Sequence, residues 1–247
     1  MLVTRPAGQA AELSRRLEER GVAVTCVPTV ATDAASCADE LRAALRGLDG
    51  AAWLVITSVN GAGAVTRSIA GGAQLPRGIR IAAVGPATAD ALRAAGLEVD
   101  HMPAVYRTAA IADGLGDVAG RRVVLARADA ATDELPEALR ARHADVEEVV
   151  AYRTIEGPAA SRDALHAALQ LDLHAIAFTS SSTVDGLMSL ATSTDRARAR
   201  ALPSMCIGPV TAATARFRGF HVVGVAAQHT AAGLADAIAH HFGSAGS

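Results

Sequence analysis

The chain opens on a short apolar run, Leu2-Val3-Thr4, and then changes period. Over residues 9–19, Ala10, Leu13 and Leu17 fall on one helical face and Arg15, Arg16 and Glu19 on the other. Apolar positions three and four apart mark the buried stripe of an amphipathic helix, whereas a short unbroken apolar run between polar turns reads as a buried strand. The same alternation continues along the chain. It predicts strands at residues 2–4, 22–27, 52–57, 79–84 and 99–102, then at 122–126, 146–150, 175–179, 205–207 and 222–225, with helices between them. Strands that alternate with helices form parallel sheets covered on both faces, so the predicted class is α/β, doubly wound.

The pattern also repeats. Thr57-Ser58 recurs 122 positions later as Thr179-Ser180, each after an apolar strand, and Val84-Gly-Pro-Ala-Thr-Ala89 recurs 123 positions later as Ile207-Gly-Pro-Val-Thr-Ala212. Thr108-Ala-Ala is echoed by Thr230-Ala-Ala, and Val3-Thr-Arg5 aligns with Leu125-Ala-Arg127, both at an offset of 122. A repeat of this length over nearly the whole chain predicts two domains of one architecture. Residues 28–33 and 151–158, equivalent by the repeat, continue no strong helical pattern and read as crossovers. Two crossovers place the first strand-helix-strand unit with the C-terminal half and leave the middle as an insertion; a simple tandem order fits the periodicity almost as well. The tail, residues 243–247, reads as disordered.

Composition narrows the function classes. The 247 residues are 51% hydrophobic, carried by Ala, Val and Leu, without the roughly 18 consecutive apolar residues of a membrane helix. Met1 leads straight into the first strand, without the basic and apolar regions of a secretion signal, so a cytoplasmic location is expected. A net charge of −2 argues against nucleic-acid binding. No lysine is present, which excludes a Walker A loop, while an all-arginine set suits bidentate binding of carboxylates. Cys26, Cys37 and Cys206 have no CxxC spacing and the eight histidines no ligand spacing, so no metal site is expected.

Candidate chemistry falls at the carboxyl ends of the strands, where open α/β sheets bind ligands and helix N-termini offer free N–H groups. Ser58, Ser180 and Ser181 each stand at a strand-to-helix turn; hydroxyls and backbone N–H groups there can hold an anion, or the serines can serve only as caps. Gly85 and Gly208 precede prolines suited to the first helical position, with Thr88 and Thr211 in the first turn. Arg5 and Arg127 are equivalent strand-end arginines suited to paired anion contacts; Arg107 and Arg153 are further candidates. Gly61-Ala-Gly63 lacks the third glycine of a dinucleotide fingerprint, and no G-x-S-x-G elbow occurs. Tyr152 breaks the symmetry, because its repeat partner is Val30. A phenol, with an ordinary pKa of about 10, is protonated at neutral pH and can give a proton to a leaving oxygen, or it can simply pack the crossover.

Taken together, Val3-Thr-Arg-Pro6, Thr57-Ser58, Phe178-Thr-Ser180, Val84-Gly-Pro86, Ile207-Gly-Pro209 with Thr211, and Val150-Ala-Tyr-Arg-Thr154 resemble the uroporphyrinogen-III synthase family over almost the full chain. The resemblance implies two flavodoxin-like domains joined by a two-stranded linker. Residues 1–32 and 157–247 would form one domain, 36–149 the other, and 28–35 and 150–157 the linker. It implies a monomeric, cofactor-free lyase that closes hydroxymethylbilane, held between the domains, with loss of water and inversion of one ring through a spiro intermediate. It also implies that Tyr152 assists loss of the hydroxyl and that Thr211, Ser58 and Ser180 face the substrate. Val59 and Ser181 stand where family members often carry Pro, and Asn60 where Arg is frequent. The main rival is a non-catalytic two-domain binding protein that closes on an anionic metabolite; a Rossmann oxidoreductase is disfavoured by the missing glycines.

Overall fold

The computed structural model describes residues 1–104 and 108–243. Two compact units divide the chain: Met1–Ala31 with Ile155–Ser247, and Thr32–Thr154. Arg107 and the tail residues 244–247 lie outside the described residues.

The first unit contains β1 (Leu2–Val3), α1 (Ala7–Glu18) and β2 (Thr25–Cys26) from the start of the chain. From its end come α7 (Arg162–Leu169), β8 (Ile176–Phe178), α8 (Ser181–Leu190), α9 (Ser193–Ala201), β9 (Pro203–Cys206), α10 (Pro209–Phe217), β10 (His221–Val225) and α11 (Ala231–Gly243). Its sheet order is β10-β9-β8-β1-β2, which is the flavodoxin-like order, with each of these pairings parallel. Two apolar layers cover the faces. Phe178, Val184 and Leu187 pack on one, and Leu13, Leu17 and Leu234 on the other.

The second sheet runs β3 (Val30–Asp33), β7 (Asp145–Glu156), β6 (Arg122–Ala128), β4 (Ala51–Ile56), β5 (Arg80–Ala83). Around it lie α2 (Ala38–Arg46), α3 (Val59–Ala70), α4 (Pro86–Ala94), the short α5 (Ile111–Gly114) and α6 (Glu134–Ala141). Matching strands through the repeat, β6 to β1, β7 to β2, β4 to β8 and β5 to β9, gives these four strands the same order in both sheets; the fifth differs, β10 lying beside β9 in the first and β3 beside β7 in the second. The class is therefore α/β, with sheets built mainly of parallel pairings, as the periodicity predicts.

The strands differ from expectation in four places. Residues 99–102 do not form a strand; only Ala82 and His101 bridge in parallel. The Asp100 carboxylate takes the Ile81 N–H at 2.7 Å, and Pro103 has no N–H to extend the ladder. The 22–27 run forms a regular strand only at Thr25 and Cys26, although the N–H groups of Val27 and Thr29 still donate to the carbonyls of Val3 and Thr4 at 3.0 and 3.1 Å. Conversely, the two crossovers are not irregular: β3 occupies the first, and β7 runs unbroken for 12 residues through the second.

Both crossovers are anchored at Thr29, which is fully buried. Its carbonyl accepts the Gly157 N–H at 2.8 Å and its hydroxyl donates to the Thr183 carbonyl at 2.7 Å. A Cβ on Gly186, in α8, would collide with that same Thr29 carbonyl. Because the obstruction is backbone, Gly186→Ala is expected to lower unfolding free energy by about 2 kcal/mol or more in urea titrations. Gly8→Ala, which meets open space in α1, is expected to leave it unchanged or raise it by up to about 1 kcal/mol. Equal effects from the two substitutions would contradict this packing.

Candidate functional site

In the second unit β4 ends at Ile56, and the chain turns through Thr57 into α3. Ser58 caps that helix in extended conformation, its Oγ accepting the Gly61 N–H at 3.0 Å. A serine oxygen at this position satisfies one of the first-turn N–H groups that no helical carbonyl can reach. Next to β4 runs β6, and beyond it β7, whose parallel register sets Tyr152 opposite Ala128. The result is a contact across 94 positions of sequence: the Tyr152 hydroxyl lies 3.0 Å from Ser58 Oγ. Tyr152 is only 8% exposed and belongs to the apolar core with Ile56, Val149 and Ala151. Tyr152 also lines a pocket of about 310 Å³ with Thr57, Ser58, Thr108, Arg127, Thr132 and Leu135, alanines completing the wall.

Arg127 departs from expectation. Its side chain is 8% exposed and its guanidinium is occupied: Nη1 meets Glu148 at 2.8 Å, while Nη2 donates to the carbonyls of Ala131 at 2.5 Å and Thr132 at 2.9 Å. Asp133 lies 3.5 Å from Nη2. The expectation of a free anion contact is corrected here; Arg127 holds the 128–133 turn that forms one wall of the pocket. A buried arginine with these acceptors has its donors matched by the protein itself.

Gly85 starts α4 with Pro86 at its first position and without a side-chain cap, and Thr88 in the first turn is almost fully buried. Its repeat partner in the first unit is built alike. Gly208 starts α10 ahead of Pro209, uncapped, and Thr211 is likewise nearly buried. Neither threonine hydroxyl has a hydrogen-bond partner among the described residues. A Cβ on Gly208 would press on the His229 ring at 3.3 Å.

The remaining candidates also lie in the first unit. Ser180 caps α8 within a capping box, accepting the Thr183 N–H at 3.2 Å, and its hydroxyl meets Ser182 at 2.8 Å. Ser181 accepts the Thr214 hydroxyl at 2.9 Å. Arg5, half-buried after β1, has no hydrogen bond or ion pair among the described residues. Burial lowers its pKa from the usual arginine value and the field of Glu12 opposes that, so it is a cation in want of an anion. Arg153 is exposed. The repeat therefore brings the serine, glycine and threonine candidates to corresponding helix starts of each unit, while the Arg5 and Arg127 pair diverges.

Sequence reasoning missed three things. The Ser58–Tyr152 contact has no local signal, since the partners come from strands brought together only by sheet order. Thr132 has none either. Thr108 could have been found, because it opens the repeated Thr-Ala-Ala motif. Among the described residues no group of three or more His, Cys, Asp or Glu side chains could hold a metal ion. Cys37 and Cys206 are buried, and burial pushes the Cys206 thiol up to about 11.

The family model described as uroporphyrinogen-III synthase HemD matches residues 11–236. A uroporphyrinogen-III synthase of Synechococcus elongatus is 32% identical over 225 residues, covering 87% of this chain and 84% of that protein. Among solved structures, a mutant uroporphyrinogen III synthase from Thermus thermophilus superimposes with a TM-score of 0.63 at 20% identity, covering 98% of each chain. A uroporphyrinogen-III synthetase from Helicobacter pylori gives a TM-score of 0.56 at 16% identity, covering 79% of this chain and 85% of the other. The two structures share the fold, and the sequence matches favour an enzyme over a purely binding protein. The chain belongs to the uroporphyrinogen-III synthase family.

Proposed function

We propose that the chain converts hydroxymethylbilane to uroporphyrinogen III, with loss of water and inversion of ring D, and that Tyr152 is its catalytic acid. Family membership over most of the chain carries the overall reaction; a Tyr152 that lines a pocket and whose hydroxyl lies beside Ser58 supports the role of the tyrosine. The C–O bond of the terminal hydroxymethyl group breaks as the adjacent pyrrole nitrogen supplies an electron pair. The phenolic proton passes to the departing oxygen, so water leaves and an azafulvenium cation faces a phenolate. The far pyrrole attacks through its substituted carbon, the spiro intermediate fragments and recloses, and rearomatisation returns one proton to the tyrosine. Atoms balance with loss of one water. The substrate's own electrons drive every step, so no cofactor is required.

Geometry then decides the product, because unassisted closure gives the unrearranged isomer; restraining the chain of pyrroles in one conformation is the larger contribution. The substrate's carboxylates are proposed to meet the backbone N–H groups at the helix starts of each unit, at Ser58, Gly85, Thr88, Ser180, Ser181, Gly208 and Thr211, and the unpartnered Arg5. Such contacts let a protein of net charge −2 bind a polyanion. No helix among the described residues is long and apolar enough to cross a membrane. We further propose a cytoplasmic monomer that binds no nucleic acid, supported by the absence of a basic excess.

The assay is to supply hydroxymethylbilane and resolve the oxidised products by isomer. Type III is expected in excess over type I, and type I alone at the uncatalysed rate would overturn the reaction. Tyr152→Phe is expected to slow turnover by about 100-fold, the usual worth of a placed general acid, and an unchanged rate would remove its role. Arg5→Ala is expected to raise KM about tenfold or more while leaving stability within about 0.5 kcal/mol. Arg127→Ala should instead lower unfolding free energy by about 1–3 kcal/mol. The same behaviour from both arginines would contradict the distinction drawn between them.

A further inference from the structure

The Ser58–Tyr152 contact can run in either direction, and its direction matters to catalysis. If the tyrosine donated to the serine, its only proton would be engaged away from the substrate. The surroundings of Ser58 oppose this. Its Oγ already accepts the Gly61 N–H at 3.0 Å, at the positive end of the 12-residue helix α3. An oxygen that accepts such a bond loses electron density, which makes its remaining lone pair a poorer acceptor and its own O–H a better donor. Because the Gly61 bond takes one lone pair and leaves the hydroxyl proton unassigned, the chain Gly61 N–H to Ser58 Oγ–H to Tyr152 Oη employs both the acceptor and the donor of Ser58 and leaves only the phenolic proton free for a substrate oxygen.

Resting on the reading of Tyr152 as the acid, we infer that Ser58 is a positioning residue that donates its hydroxyl proton to the Tyr152 oxygen, aiming the phenolic O–H at the leaving group and stabilising the phenolate formed when it is lost. The duplication supplies an internal comparison. Ser180, the counterpart of Ser58, also caps its helix, but its hydroxyl meets Ser182 at 2.8 Å, and the position equivalent to Tyr152 is Val30. Capping alone is thus common to both units, whereas the hydrogen bond to a phenol belongs to one. The preorganised donor costs no rearrangement when charge develops on the phenolic oxygen, the situation in which a fixed hydrogen bond contributes most to rate.

The test is a double-mutant cycle in steady-state turnover of hydroxymethylbilane. Ser58→Ala is expected to lower kcat about ten- to hundredfold with KM within twofold, and Ser58→Thr to restore most of it. In the Tyr152→Phe background, Ser58→Ala should change kcat by less than twofold. Ser58→Asp keeps a helix-capping acceptor without a proton to donate, so it should fold if Ser58→Ala does not and still lose kcat. Equal losses from Ser58→Ala in both backgrounds, a change confined to KM, or full activity of Ser58→Asp would overturn the role of Ser58 while leaving Tyr152 in place. Turnover of Tyr152→Phe at the unmodified rate would instead overturn the reading beneath it.

Discussion

Parallel pairing is the constraint on which the remaining structure depends. A parallel strand must return by a crossover, the crossovers here are helices, and each helix therefore begins where a strand has just ended. With each defined pairing parallel, the starts of α3 and α4 gather at one edge of the second sheet, and those of α8 and α10 at the corresponding edge of the first. Small and hydroxyl-bearing residues at these starts follow from that geometry before any chemistry is considered, because first-turn N–H groups need an oxygen or a ligand. The polar edges are a consequence of how the sheets close.

Duplication gives the two units the same frame, and the functional distinction arises where the copies differ. Arg5 and Arg127 occupy one position of the repeat, yet Arg127 is buried among Glu148 and two carbonyls while Arg5 meets no partner among the described residues. Ser58 and Ser180 occupy another, yet only Ser58 faces a phenol. In each pair the copies have diverged: Arg127 is tied into the scaffold where Arg5 is not, and Ser58 meets a phenol where Ser180 meets another serine. The long β7 holds Tyr152 in place: it is paired with Ala128 in the ladder and packed on the core, and it lines the pocket.

The class of fold was legible because buried parallel strands are short continuous apolar runs, and nine of the ten predicted runs correspond to strands. The exception, 99–102, is Val-Asp-His-Met, only half apolar, and its ladder is cut short by the Asp100 carboxylate on the Ile81 N–H and by Pro103. The β3 segment, Val30–Asp33, reads as a crossover because its pattern is mixed, and its pairing partner lies more than 100 positions away. Candidate site residues were visible where they repeat: Ser58 with Ser180, Gly85 with Gly208, Thr88 with Thr211. Tyr152 was visible for the opposite reason, as a break in symmetry. What stayed hidden was which donors are already satisfied, as for Arg127, and which side chains meet across strands, as for Ser58 and Tyr152. Both depend on three-dimensional neighbours that one strand's sequence does not encode.

If Tyr152 acts by protonating the departing hydroxyl, its value depends on the leaving group. The direct measurement is single-turnover closure by the unmodified protein and by Tyr152→Phe of two bilanes, one with the terminal hydroxyl and one with an acyloxy group whose departing carboxylate needs no proton. The loss caused by Tyr152→Phe is expected to be about 100-fold with the hydroxyl and to shrink to less than about threefold with the acyloxy group. An equal loss with both leaving groups would contradict proton donation and leave Tyr152 as a residue that only shapes the pocket.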